Sequence, residues 1–181
     1  MKEFDVRSVV ATAIGAAILF VLMKFVVVPT PIPNTVIQTS YGFLALFAAL
    51  FGAVPAALAG LIAHILMDAT TYGIWLSWEV TTGFIGLAMG LFMRNNQIEQ
   101  GVFSRRDQLR FAVGMIVINF IGWGILAPVL DILIYAEPSN KVFTQGIFAF
   151  ITNAIATVVV GWILIKAYTK TRVESGSLTK K

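Results

Sequence analysis

The chain has 181 residues, of which 58% are hydrophobic and 12% charged, with a formal net charge of +4 and a mean hydropathy of +0.86. A soluble domain carries about twice that share of charged residues, so an ordinary soluble enzyme, a disordered chain and a disulfide scaffold are all poor descriptions of it. There is no cysteine and a single histidine, His64. That excludes thiolate metal sites, Cys nucleophiles and multi-histidine zinc chemistry, and the absence of a G-x-x-x-x-G-K-[ST] run excludes ATP binding through a P-loop of its own.

A bilayer core about 30 Å thick takes about 20 apolar residues per helix. The first apolar run covers residues 8–28, broken only by Lys24. The preceding Lys2, Glu3, Asp5 and Arg7 cancel, and no small-residue cleavage site follows, so the run reads as a retained span rather than a signal peptide. Residues 29–35 hold three prolines, Pro29, Pro31 and Pro33. Proline fixes φ and biases its predecessor to extended backbone, which predicts a stiff outer loop placed as a lid.

Residues 36–67 form one mainly apolar stretch that is too long for one span. Gly52 and Pro55 in the middle predict two helices, about 35–51 and 55–69. Further spans are predicted at 75–93, at 109–134 with a kink or break at Pro128, and at 142–168. The whole chain, 1–181, is then one all-α, six-helix transmembrane domain with a basic tail over 169–181.

Charge placement tests that count. Eleven of the thirteen Lys and Arg fall before span 1 (Lys2, Arg7), around the loop after span 4 (Arg94, Arg105, Arg106, Arg110) or at the C-terminal end (Lys166, Lys170, Arg172, Lys180, Lys181). The positive-inside rule puts all three on the cytoplasmic side, which needs an even number of spans between the first two and places both termini inside. Positive charge is thus a topology signal, and no nucleic-acid partner is expected.

Small residues recur at helical spacing in span 1, as Ala11/Gly15 and Ala13/Ala17, where another helix can approach closely in lipid. A second stripe, Gly83, Gly86 and Gly90, reads as packing within the bundle. Polar groups inside spans usually face an interior or a cavity. Here His64 and Asp68 read as a hydrogen-bonded pair, since two ligands are too few for a metal. Asn34, Gln38, Trp78, Glu79, Asn119, Trp123 and Gln145 gather in the outer half of the predicted bundle. Aromatic faces, amides and a carboxylate suit a flat polar heterocycle, stacked and oriented by few hydrogen bonds. These seven are the predicted substrate-binding residues; no catalytic residue, metal or cofactor is expected.

The segments 31–35 (Pro-Ile-Pro-Asn-Thr), 44–52, 127–135 and 137–146, with the six spans and the alanine/glycine-rich first helix, resemble the S components of energy-coupling factor (ECF) vitamin transporters. They are similar to one family assigned to hydroxymethylpyrimidine or to pyridoxine and its relatives. The resemblance implies a non-enzymatic subunit of the bacterial cell membrane that captures its vitamin from outside and docks on a transmembrane T component coupled to two cytoplasmic ATPases. It implies that the small face of helix 1 (Ala11, Ala13, Gly15, Ala17) is the docking surface and loop 1 the gate. The alternative reading is a stand-alone small-molecule transporter or channel without ATPase partners. An intramembrane enzyme would need a nucleophile–base pair, and no serine in a span stands near His64.

Overall fold

The computed structural model describes residues 5–30 and 36–172. Asn34, most of the proline-rich loop and the end of the basic tail lie outside the described residues.

Helix α1 spans Val6–Phe25 and is opened by Asp5, whose carboxylate accepts from the Ser8 backbone N–H at 2.8 Å and the Ser8 hydroxyl at 2.9 Å. Those bonds hold the Asp5 carboxyl below its usual range. Beyond α1 the chain turns extended. Strand β1 (Val27–Pro29) pairs antiparallel with β2 (Val36–Gln38), with Val28 opposite Ile37 and Pro29 opposite Val36. The predicted lid thus has paired flanks, and helix α2 begins at Ser40 rather than near residue 35. β-Branched Val27, Val28, Val36 and Ile37 favour the pleat, and Pro29, which lacks an N–H, stands at the end of the ladder. A lone two-stranded ribbon is marginal; this one packs on the last helix and is tied to α1 by Thr39 Oγ1 donating to the Val26 carbonyl at 2.7 Å.

Helix α2 (Ser40–Phe51) and helix α3 (Ala53–Ala69) are separated by Gly52 alone, at φ +89°. The break falls where the Gly–Pro pattern predicts it, because a left-handed φ costs glycine nothing. Helix α4 (Leu76–Phe92) makes its largest contact with α3. Gly86 lies on the Ala56 carbonyl and Gly90 on the Ala53 backbone, so a Cβ at either position would collide with main chain. The glycine stripe of α4 is internal packing.

After a short 3-10 turn, helix α5 (Arg105–Asn119) starts at a capping box in which Ser104 and Asp107 bond each other reciprocally. Helix α6 (Ala127–Tyr135) continues it through a π-helical stretch, Phe120–Leu126. Pro128 therefore breaks nothing. The Ala127 N–H bonds Gly122 O, five residues back, and the widened turn accommodates the proline ring. Helix α7 (Ser139–Lys170) closes the fold, with Gly146 seated on Pro128 and on the Trp123 carbonyl.

By length and composition, α1, the continuous helix Arg105–Tyr135 and α7 are long and apolar enough to cross a membrane; α2, α3 and α4 are shorter apolar helices. The β-ribbon, the 70–75 loop and the 136–138 turn gather at one end of the bundle. At the other, Asn96 Nδ2 donates to the Ala49 carbonyl at 2.9 Å and Gly101 packs against Arg172.

Candidate functional site

At the ribbon end, between β2, α2, α3, α4, the π-helical stretch and α7, lies a cavity of about 390 Å³. Its aromatic wall is assembled from three separate parts of the chain. Trp78 of α4 stacks on Trp123 of the π-helical stretch, with centroids 5.5 Å apart and planes inclined by 23°. Tyr41 of α2 meets Trp123 edge-on at 5.4 Å. The widened turn carries Trp123 inward, where it is 1% exposed.

A carboxylate fixes these rings. Asp131 of α6 is buried and accepts from Trp75 Nε1 at 2.7 Å, from Trp78 Nε1 at 2.8 Å and from the Ser77 hydroxyl. Tyr135, one turn further along α6, stacks on Trp75 with centroids 4.5 Å apart and accepts from the Leu76 N–H at 3.0 Å. The acid thus locks the start of α4 onto α6 and fixes the indole planes.

On the α3 side a polar chain runs inward. His64 Nδ1 lies 2.6 Å from Thr82 Oγ1, and Tyr41 Oη lies 3.2 Å from the same oxygen. His64 Nε2 is 3.7 Å from Asp68 Oδ2, too long for a hydrogen bond. The expected His64–Asp68 hydrogen-bonded pair is therefore a His64–Thr82 bond, with Asp68 beside the ring. Near the rim, Lys141 Nζ and Glu137 Oε2 form an ion pair at 2.7 Å.

Of the seven predicted substrate-binding residues, Gln38, Trp78, Trp123 and Gln145 line this cavity. The amide of Gln38 is engaged on both sides: Nε2 donates to the Met23 carbonyl at 3.3 Å and Oε1 accepts from the Ser40 hydroxyl at 3.2 Å. Glu79 and Asn119 are fully buried but do not line it. Glu79 Oε1 accepts from the Trp75 backbone N–H at 3.2 Å, closing the first turn of α4. Asn119 Nδ2 donates to the Met115 carbonyl at 2.8 Å, one turn back on its own helix. Each bonds local backbone through one polar atom, while Glu79 Oε2 and Asn119 Oδ1 are buried without a hydrogen-bond partner among the described residues. Asn34 lies outside the described residues. The sequence reading left out Tyr41, Asp68, Asp131 and Asn153, all four on the lining. Asp68, Asp131 and Asn153 carried a signal, as polar groups inside apolar helices; Tyr41 carried none.

The four small residues of α1 divide. Gly15 is buried, and a Cβ there would lie 2.5 Å from Phe47 Cε2 of α2. Ala13 and Ala17 are exposed, and Ala11 is partly buried. The pair Ala11/Gly15 therefore faces α2, while Ala13/Ala17 faces outward.

Among proteins of known structure, the crystal structure of FolT bound with folic acid superposes with a TM-score of 0.63 at 16% identity, covering 87% of this chain and 94% of that one. That likeness is one of fold. The UPF0397 protein of Enterococcus faecalis is 48% identical over 99% of this chain and all of its own length. The UPF0397 protein of Lactiplantibacillus plantarum is 49% identical over 98% of this chain and 96% of its own. Residues 3–170 match the family described as ECF-type riboflavin transporter, S component. With this match over nearly its whole length and the S-component fold around its cavity, the chain belongs to the ECF-type riboflavin transporter S component family, as a transport subunit and multi-pass protein of the bacterial cell membrane.

Proposed function

We propose that the chain captures a small heterocyclic vitamin or vitamin precursor, related to hydroxymethylpyrimidine or to pyridoxine, in the cavity at the ribbon end of the bundle. The observation that carries this reading is the cavity of about 390 Å³ walled by the stacked Trp78 and Trp123 and by the ring of Tyr41. Indole faces in a concave site favour a flat ring, and the side chains of Gln38 and Gln145 on the same lining supply polar edges. Gln38, Trp78, Trp123 and Gln145 are the substrate-contacting residues in this reading. Glu79 and Asn119 support the surrounding helices.

In this reading all six apolar helical segments cross the bilayer, the continuous helix Arg105–Tyr135 counting as one, with both termini cytoplasmic and the cavity opening outward. The basic residues at the end opposite the cavity, Arg94, Arg105, Arg106 and Arg110, support that orientation. Import is then driven by a transmembrane T component and two cytoplasmic ATPases, since this chain carries no P-loop. The T component seats on the exposed side of α1. Ala13 and Ala17 lie there, and an open apolar groove lined by Val10, Ala11, Ile14, Phe43 and Phe47 runs beside them.

Calorimetric titration of the detergent-purified protein with hydroxymethylpyrimidine, pyridoxine and riboflavin tests the capture step. Saturable binding of hydroxymethylpyrimidine or pyridoxine at one site per chain is the expected result. Binding of riboflavin alone overturns that choice of ligand, and no binding of any by folded protein refutes heterocycle capture.

A further inference from the structure

The acids of the cavity differ in one respect. Asp131 accepts from two indole N–H groups and a hydroxyl, and Glu137 is paired with Lys141. Asp68 of α3 is 5% exposed and lines the same cavity. Among the described residues its carboxylate receives no hydrogen bond, and His64 Nε2 stands 3.7 Å from Oδ2. The Asp68 main-chain carbonyl, in contrast, is heavily used, accepting from the N–H groups of Thr71 at 3.0 Å, Tyr72 at 3.0 Å and Gly73 at 2.7 Å. That wrap fixes the backbone under the carboxylate and leaves the side chain to face the cavity.

A buried carboxylate without donors is costly, and such groups are normally satisfied. The lining's own donors do not relieve it. Trp75 Nε1 and Trp78 Nε1 serve Asp131, Lys141 serves Glu137, and Gln38 Nε2 serves the Met23 carbonyl. Three carboxyl groups against one ammonium also make the cavity a poor host for an anionic ligand. A ligand's hydrogen-bond donor satisfies Asp68.

We propose that Asp68 is the specificity-determining acid of the cavity, and that the substrate is a nitrogen heterocycle presenting N–H donors to it, either an exocyclic amine or a protonated ring nitrogen. This rests on the reading that the cavity takes a heterocyclic substrate. His64, held by Thr82, flanks the carboxylate. The indole wall stacks the ring while Asp68 selects which edge enters first.

The test uses the full-length chain in detergent, titrated calorimetrically with hydroxymethylpyrimidine (an aminopyrimidine), with pyridoxine (a pyridine) and with riboflavin. Each of the first two is paired with an analogue lacking the donor: the amine replaced by hydrogen, or the ring nitrogen by carbon. The expected result is that one of the first two binds in preference to riboflavin, and that its donor-free analogue binds about tenfold to a hundredfold more weakly. The preferred arm tells an amine from a ring nitrogen. Asp68→Asn should weaken the parent ligand by a similar factor and the analogue hardly at all. Equal affinity of parent and analogue for the native protein overturns the proposal, as does preference for riboflavin or undiminished affinity in folded Asp68→Asn. These results leave heterocycle capture standing, whereas no binding of any probe overturns both. If Asp68→Asn does not fold, the analogue comparison on the native chain decides alone.

Discussion

Asp131 Oδ2 accepts the indole N–H of Trp78 at 2.8 Å, joining positions 53 residues apart in the sequence. Because the other carboxylate oxygen holds Trp75 and Ser77, this one acid sets both the join between α4 and α6 and the plane of the cavity wall.

Asp131→Leu should therefore damage two properties together. Two indole N–H groups and a hydroxyl lose their acceptor, and each buried group left unsatisfied costs about 1–3 kcal/mol. A lowered thermal midpoint in detergent is expected, with ligand affinity weakened at least about tenfold as Trp78 loses its fixed plane. An unchanged midpoint would show that the three bonds contribute nothing.

Trp123→Ala removes the ring that meets both Trp78 and Tyr41. Truncating a buried aromatic costs about 3–5 kcal/mol of stability. Binding of the preferred vitamin should weaken about tenfold to a hundredfold, read by calorimetry on protein that remains monodisperse. Full affinity in such a variant would move the site away from this wall.

Asn119→Leu should behave differently. Asn119 Nδ2 bonds only its own helix, and Oδ1 is buried without a partner among the described residues. Replacing a half-satisfied amide by an apolar group of similar size is close to neutral, within about 1 kcal/mol. Affinity should stay within about threefold of the native value. A tenfold loss would bring Asn119 back into contact with substrate.

Ala13→Leu and Ala17→Leu place bulk on the exposed side of α1, where close helix approach is expected. Substrate binding by the isolated chain should persist while co-purification with a T component falls at least about tenfold. Gly15→Leu should instead lower the thermal midpoint, because its side chain meets Phe47 inside the bundle. Normal complex formation by both alanine variants would move docking to another face.

Topology is testable on a background free of native cysteine. A cysteine placed at 139, in the turn near the cavity, should react with an impermeant external thiol reagent in whole cells. One placed at 100, in the loop after α4, should react only once the membrane is opened. External labelling at 100 would overturn the six-span arrangement.

The sequence by itself determined the class of this protein and much of its outline. Apolar run lengths, Gly52 and the glycine stripe of α4 are local signals, since the length of a span, a left-handed φ and a small-residue contact are each written in a few neighbouring residues. The polar groups inside those runs were legible too, because lipid makes each of them expensive. What only the tertiary structure decided was which of them share a space. Glu79 and Asn119 are spent on backbone groups one turn away on their own helices, while Asp131 reaches across the bundle to Trp75 and Trp78. Helical periodicity gives the face a residue occupies but not the rotation of one helix against the next. The same holds for α1, where residues two positions apart share a composition, yet Gly15 is covered by Phe47 and Ala13 is exposed. The antiparallel pairing of Val27–Pro29 with Val36–Gln38 lay beyond local reading as well, because strand register is a relation between two segments and each alone is only a short β-branched run at the edge of a helix.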